Sequence, residues 1–151
     1  MTTNIALNDT LHRLIHIYKK QLVQNIRAEG IALPITHIRT LKSIRAYPLS
    51  TGKSIASSLN RDKAQVARVL NDLIATGFIE KQPNPDDKRS QLLALTLTGN
   101  QLLDEIQRIE QRVGIQLTRG IDPLALEQFM QTSARIIKNG AEESDHNQCG
   151  D

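Results

Sequence analysis

The sequence predicts a mostly α-helical fold with one small β-hairpin between the fourth and fifth of six helices. Two observations carry this prediction. Apolar residues recur at helical spacing along most of the 151-residue chain, and two short apolar runs flank a turn-forming segment at 83–91. The composition, 39% hydrophobic and 23% charged, is ordinary for a globular protein of one-domain size.

Three helices are expected before the central segment. The first covers 8–29, with its apolar residues on one stripe and Gly30 as its stop. The second begins at a cap formed by Thr36 and ends at Tyr47-Pro48, because the residue before a proline is pushed out of helical geometry. A short third helix follows over 52–59.

The fourth helix, 62–76, has the clearest division between an apolar and a polar face. Asp62 is expected to cap it by accepting from the Gln65 amide, and Gly77 to end it in the left-handed conformation. The buried stripe comprises Val66, Val69, Leu70, Leu73 and Ile74. The outward face comprises Lys63, Ala64, Gln65, Ala67, Arg68 and Asn71. A short helix with an outward basic and polar face is typical of a DNA contact.

The hairpin follows, with strands expected at 78–82 and 92–97 around the loop PNPDDKRSQ. Thr98 is expected to cap the fifth helix, which ends near Gly120. Asp122-Pro123, a cap followed by proline at the first helical position, starts the sixth. This last helix is expected to stop at Gly140.

The charge distribution also favours nucleic acid. The net charge is +3, but residues 39–89 hold ten Lys/Arg and five acids, a local excess of five positive charges. With two Tyr, two Phe and no Trp, the chain lacks the aromatic platforms on which single strands and RNA stack. Double-stranded DNA is therefore the expected partner.

The hairpin and the strand after it resemble the MarR family of winged helix-turn-helix regulators. That family carries Asp-Pro-x-Asp-Arg-Arg in the wing and then Leu-Thr-x-x-Gly. Here the motifs are Asn84-Pro85-Asp86-Asp87-Lys88-Arg89 and Leu95-Thr96-Leu97-Thr98-Gly99. The first Asp of the motif is replaced by Asn and the first Arg by Lys, while Asp87 and Arg89 are kept. The similarity extends over 8–140 in helix order and length.

The resemblance implies a homodimeric transcriptional regulator, expected to repress, that binds a pseudo-palindromic site. Helix 62–76 would enter the major groove, with Gln65 and Arg68 at base edges, and wing 83–91 would enter the minor groove through Arg89. Asp87 would orient the Arg89 guanidinium. The other DNA-contacting residues would be Lys53, Ser54, Arg61, Lys63, Ala64, Ala67, Asn71, Lys81 and Lys88.

The same resemblance divides the chain. Residues 35–97 are expected to form the winged helix-turn-helix lobe that contacts DNA. Residues 1–34 and 98–140 are expected to form a helical dimerisation region, because their long amphipathic helices exceed what a DNA-reading lobe needs. Residues 141–151, with several acids and no Lys or Arg, are expected to be a disordered acidic tail.

The family often binds a small effector, such as an aromatic or phenolic anion, between the dimer helices and the DNA-reading lobe. Candidate residues are His12, His16, His37, Arg45 and Tyr47. A metal-responsive regulator that uses His12 and His16 remains an alternative, since the two lie four apart on one helix. Packing of the helices is a third possibility for each of these residues.

Other functions receive less support. No catalytic motif is present, so we expect no enzyme and no cofactor. A winged helix that binds only protein would carry apolar anchors where helix 62–76 carries polar residues. The single Cys149 lies in the tail and permits no disulfide within the chain. The N-terminus lacks a signal-peptide pattern and no apolar run could span a bilayer, so a cytoplasmic location is expected.

Overall fold

The computed structural model describes the backbone of residues 2–147 and the side chains of residues 6–142. Within that range it has six helices and one two-stranded antiparallel sheet, which confirms the predicted mostly helical fold. The elements in chain order are α1 Thr2–Ala28, α2 Ile35–Ala46, α3 Gly52–Ser58, α4 Lys63–Ala75, β1 Ile79–Pro83, β2 Gln91–Leu95, α5 Leu97–Leu117 and α6 Pro123–Asn147.

The chain divides into two compact units, one ending at Val113 and the other beginning at Gly114. The first unit holds the buried core, to which α2, α3, α4, the hairpin and α5 all contribute. Leu41, Leu73, Leu103 and Ile106 have no exposed surface, because each lies on the apolar stripe of its helix. This core fixes the positions of the helices that carry the candidate site.

The hairpin is held to the helices by local and long-range hydrogen bonds. Ile79 pairs with Leu95 at its base and Pro83 with Gln91 near its tip. The Leu93 amide also donates to the Ser50 carbonyl at 2.8 Å, which fastens β2 to the turn between α2 and α3. The predicted strands were correct in place and partner, with boundaries shifted by one or two residues.

The junction between β2 and α5 differs from the prediction. Thr96, not Thr98, caps α5: its Oγ1 accepts from the Gly99 amide at 3.1 Å and donates to the Gly77 carbonyl at 2.6 Å. Leu97 is already helical. The predicted cap was wrong because the local sequence allows either threonine to cap the helix. In the fold, Thr96 is the one whose hydroxyl also reaches the Gly77 carbonyl.

Two other predicted caps are absent. Pro34, not Thr36, stands at the N-cap of α2 and makes no side-chain cap bond. Asp62 stands at the N-cap of α4 as predicted, but its carboxylate makes no cap bond to the helix. The predicted stop of α4 at Gly77 is confirmed, since Gly77 has φ of +78°.

The α1 stripe is buried only toward its C-terminal end, where Leu22 and Ile26 join the core. Six of its large apolar side chains are between 38% and 51% exposed in a single chain. They are Leu7, Leu11, Leu14, Ile15, Ile17 and Tyr18. An apolar surface of this kind on a helix needs a covering partner.

The second unit consists of the end of α5, a turn and α6. Gly120 turns the chain with φ of +79°, and the Asp122 carboxylate accepts from the Ala125 amide at 3.2 Å, as the predicted cap requires. The predicted stop at Gly140 was wrong, because α6 continues to Asn147. The expected disordered tail therefore begins within a helix, and residues 148–151, including Cys149, lie outside the described residues.

Large apolar side chains of the second unit are also exposed. They are Ile115, Leu117, Ile121, Leu124, Phe129, Met130, Ile136 and Ile137. Even so, in the part of the chain that the structure describes, no helix is long and apolar enough to cross a membrane.

Candidate nucleic-acid interface

The outward face of α4 is as predicted. Lys63, Ala64, Gln65, Ala67, Arg68 and Asn71 are all exposed, and we call this set the reading face. On the opposite side Val66, Leu70 and Leu73 are buried, while Val69 and Ile74 are partly buried. The core therefore holds α4 by one face and leaves the reading face in solvent.

The helix before it, α3, begins with a capping box that was not predicted. The Ser54 amide donates to Thr51 Oγ1 at 3.2 Å, and the Thr51 amide donates to Ser54 Oγ at 2.8 Å. Ser54 Oγ donates in turn to the Thr51 carbonyl at 3.0 Å. The Ser54 hydroxyl is thus engaged in the protein, whereas Lys53 beside it is exposed. The spacing Thr-x-x-Ser could have revealed this cap.

The wing tip is organised by two side chains that bond to nearby backbone. Asn84 Oδ1 accepts from the Asp86 amide at 3.0 Å, and Asp87 Oδ1 accepts from the Arg89 amide at 2.9 Å. Across the neck of the loop, Asn84 Nδ2 donates to Ser90 Oγ at 2.9 Å. The bond between Asn84 and Ser90 therefore joins the two ends of the wing loop.

In the structure, Asp87 contacts the Arg89 backbone and not the guanidinium that it is expected to orient on DNA. Its carboxylate holds the Arg89 backbone amide, and among the ion pairs of the described residues none joins it to the Arg89 guanidinium. The physical reason is proximity, because an Asp side chain reaches the amide two residues on within a turn. Asp87 therefore shapes the loop and leaves the guanidinium free.

All seven cations predicted to contact DNA are exposed, and within the described part of the chain none has an ion-pair partner. They are Lys53, Arg61, Lys63, Arg68, Lys81, Lys88 and Arg89. Two cations of α2 behave differently. Lys42 pairs with Glu110 of α5, and Arg45 Nη1 pairs with Asp104 Oδ1 at 2.9 Å. The reading face and wing thus carry positive charge that the described chain does not neutralise.

Tyr18 of α1 lies close to the Lys42–Glu110 pair. Burial raises the pKa of the Tyr18 phenol above its ordinary value of 10.0, and the negative charge of Glu110 raises it further. The phenol therefore keeps its proton around neutral pH.

The five candidate effector residues lie in different surroundings. His12 and His16 line a hollow bounded by α1 side chains, whereas Tyr47 lines a pocket beside α3. Arg45 pairs with Asp104, and His37 Nε2 lies 3.1 Å from Asp72 Oδ2 of α4. No pocket described for residues 6–142 is lined by all five.

The structure places no third metal ligand beside His12 and His16 among the described residues. Among the described residues there is no group of three or more His, Cys, Asp and Glu placed to hold one ion. His12 and His16 alone would supply two of the four ligands that zinc usually takes.

Sequence reasoning did not find the long-range polar contacts of this surface. The His37–Asp72 pair links residues 35 positions apart, and the Asn84–Ser90 bond spans the neck of the wing. Asn before Pro in a turn was a signal for a side-chain bond near Asn84. Nothing in the local sequence pointed to Asp72 as the partner of His37.

Fold and exposed basic face together define a winged helix-turn-helix protein, and the comparisons with known proteins identify its family. The model for the MarR family matches residues 33–91. The Multiple antibiotic resistance protein MarR of Escherichia coli is 30% identical over 114 residues, covering 74% of this chain and 79% of that protein. The chain therefore belongs to the MarR family, and it is a transcriptional regulator, not an enzyme.

Solved structures of the E. coli protein have the same fold. A cysteine-to-serine mutant of MarR superposes with a TM-score of 0.70 at 25% identity, covering 84% of this chain and 96% of that one. A structure of such a mutant complexed with operator DNA gives a TM-score of 0.63 at 24% identity, covering 83% and 93%.

Proposed function

We propose that this protein is a homodimeric repressor that binds a pseudo-palindromic duplex site. The observation that carries the proposal is the set of seven exposed cations on α3, α4 and the hairpin that have no ion-pair partner among the described residues. Every Lys and Arg between residues 53 and 89 is unpaired among the described residues, whereas Lys42 and Arg45 of the preceding helix α2 are paired with acids of α5. Unpaired cations concentrated on one motif are what DNA phosphates require.

In the proposed complex, α4 lies in the major groove with Gln65 and Arg68 at base edges. The Gln amide can donate to adenine N7 and accept from adenine N6, and the Arg guanidinium can donate to both O6 and N7 of guanine. Lys53, Arg61 and Lys63 lie near the N-terminal ends of α3 and α4 and bind phosphates, which sets the register of the protein on DNA without reading sequence.

The wing supplies the second contact, in the minor groove. Arg89 stands at its tip with a free guanidinium, and its backbone amide is held by Asp87 at 2.9 Å. Narrow A·T-rich minor grooves concentrate negative potential and attract such a side chain. A MarR mutant of the same fold has been solved with operator DNA, which supports DNA binding by this fold.

A second copy of the chain covers the exposed apolar surfaces of α1 and α6 in this proposal. Family membership and the exposure of Leu14, Phe129 and Met130 support a dimer. Two copies would present two reading faces to half-sites about one helical turn, ~10 bp, apart. By occupying such a site the dimer would block transcription in the cytoplasm.

We further propose that a small effector, such as an aromatic or phenolic anion, releases the DNA. Family membership supports this part of the proposal, and the site would lie between dimer helices and the DNA-reading lobe. Arg45 would have to leave Asp104 to bind an anion there. The hollow along α1 that contains His12 and His16 would then be a candidate wall.

The test begins with selection of a preferred duplex from a random library by the wild-type protein. Binding of that duplex and of a scrambled one is then measured by fluorescence anisotropy for Arg68→Ala and Lys63→Ala. Arg68→Ala should cost about 1–3 kcal/mol on the selected duplex and relax the choice at one base pair. Lys63→Ala should weaken both duplexes alike and lower the salt slope by about one.

Arg108→Ala is the matched control, since this arginine is exposed on α5 and lies outside the proposed interface. It should leave affinity for both duplexes unchanged. If Arg68→Ala and Lys63→Ala lost affinity equally on selected and scrambled DNA, the assignment of base reading to Arg68 would be wrong.

A further inference from the structure

The reading helix carries an acid one turn after its principal base-reading residue. Asp72 follows Arg68 by four positions on α4, and its side chain is 67% exposed. Side chains four apart on a helix are neighbours, and opposite charges at that spacing attract. Asp72 is therefore placed where it could take the Arg68 guanidinium away from DNA.

The Asp72 carboxylate is instead held by α2. His37 Nε2 lies 3.1 Å from Asp72 Oδ2, and His37 Nδ1 lies 3.3 Å from Thr36 Oγ1. The His37 side chain is only 13% exposed. Within the described residues, Arg68 has neither an ion pair nor a side-chain hydrogen bond.

Both contacts of the ring can be satisfied when Nε2 carries a hydrogen. A neutral imidazole has one donor and one acceptor nitrogen. In the tautomer that carries its hydrogen on Nε2, the ring donates to the Asp72 carboxylate and Nδ1 can accept from the Thr36 hydroxyl. The contact is thus a hydrogen bond to a charged acceptor, which is stronger than one between neutral groups.

We propose that His37 is a positioning residue for base reading. It acts through Asp72: by holding that carboxylate against α2, it leaves the Arg68 guanidinium free for a base edge. The inference rests on the proposed function of Arg68. It also explains why a DNA-reading helix tolerates an acid one turn from its base-reading arginine.

Loss of His37 would release the Asp72 carboxylate. The freed side chain would compete with DNA for Arg68. We expect His37→Ala to weaken binding of the selected duplex about two- to fivefold. The effect is small because one exposed charge pair between side chains four apart on a helix has a small interaction energy. Discrimination at the base pair that Arg68 reads should fall as well.

Removal of the carboxylate should reverse that loss. The double variant His37→Ala/Asp72→Asn has no acid to capture Arg68, so its affinity should return to within about twofold of the wild type. His37→Gln is the conservative variant: its amide can still donate to Asp72, and it should retain most of the affinity. Asp72→Asn alone measures the effect of removing the charge itself, and a purely structural role of His37 would not predict rescue larger than that effect.

The measurement is fluorescence anisotropy with the selected duplex and with duplexes altered at the base pair that Arg68 reads. Thermal unfolding of each variant separates stability from binding. In an Arg68→Ala background, His37→Ala should cause no further loss, since the two substitutions act on the same contact.

The possible failures are distinguishable. If Arg68→Ala has its expected effect while His37→Ala is silent, or while the double variant keeps the full deficit of His37→Ala, the inference about His37 is overturned and the proposed function stands. If Arg68→Ala itself leaves binding and base choice unchanged, the proposed role of Arg68 fails, and the inference fails with it.

Discussion

At the scale of single residues, the contact between α5 and the turn before β1 depends on a missing side chain. A Cβ built on Gly99 would lie 2.1 Å from the Phe78 carbonyl oxygen and 3.3 Å from the Leu95 side chain. The same region holds the Thr96 cap, which bonds to Gly77 and Gly99. The start of α5 is thus packed directly on backbone, and no side-chain rotation can relieve the clash.

We therefore expect Gly99→Ala to destabilise the fold by about 1–3 kcal/mol, because overpacking against backbone forces the helix to shift. Gly114→Ala is the matched control on α5: no atom lies within 4 Å of its added Cβ. There the substitution should stabilise by about 0.5–1 kcal/mol, since alanine is the better helix former. Urea unfolding followed by circular dichroism measures both, and equal effects of the same sign would contradict the packing argument.

At the scale of elements, the wing is a loop whose shape is set by its own side chains. Asn84 bonds to the Asp86 amide and across the neck to Ser90, while Asp87 holds the Arg89 amide. The Asn that replaces the family's first Asp supplies the donor for the bond to Ser90. These contacts place Arg89 at a defined position on the hairpin, which is what insertion into a narrow groove requires.

Asn84→Ala should therefore weaken binding through Arg89. We expect a loss of about 1 kcal/mol, roughly fivefold in Kd, on sites with A·T-rich flanks, because the bond across the neck and the bond to the Asp86 amide are both removed. Gln82→Ala is the control: its amide contacts Glu80 on the same strand and does not cross the neck. Anisotropy with A·T-rich and G·C-rich flanks provides the measurement.

In an Arg89→Ala background, Asn84→Ala should add little, since both remove the same minor-groove contact. Losses that simply sum, or an Asn84→Ala effect that ignores the flanking sequence, would show that the wing neck does not act through Arg89.

At the scale of the whole molecule, the exposed apolar residues are the main feature that a single chain leaves unexplained. On α1 the stripe is exposed from Leu7 to Tyr18, and in the second unit Leu124, Phe129 and Met130 are half-exposed or more. None of these residues belongs to the cluster of buried side chains that forms the core. A second copy of the chain is the partner we propose for these surfaces.

Charged substitutions on these surfaces should separate the copies. Leu14→Lys and Phe129→Lys should each shift the protein toward monomer by multi-angle light scattering and lower affinity for the selected duplex by roughly 10²-fold, since one reading lobe loses its tethered partner. Leu49→Lys is the control, because Leu49 is 71% exposed but lies in the turn between α2 and α3. A wild-type protein that is monomeric at micromolar concentration would refute the dimer.

Much of this organisation could be predicted from the sequence where the cause is local. The two faces of α4 follow from helical periodicity. Its end at Gly77 follows from glycine's access to positive φ. The cap of α6 follows from Asp122, whose side chain can reach the amide three residues on. The family motif in the wing likewise depends on adjacent residues. Each of these features involves residues within about one turn of each other.

Tertiary structure decided what depends on residues distant in sequence. The choice of Thr96 over Thr98 as a cap depends on Gly77, and the pairing of His37 with Asp72 depends on how α2 packs against α4. The sequence predicts an effector site at Arg45 and DNA contacts for seven other cations, but it could not predict which of these cations the fold would neutralise. Packing separates them, because α5 supplies acids to Lys42 and Arg45 while nothing in the described fold neutralises Arg68 or Arg89. Charge pattern is local, but the neutralisation of a charge is a property of the folded chain.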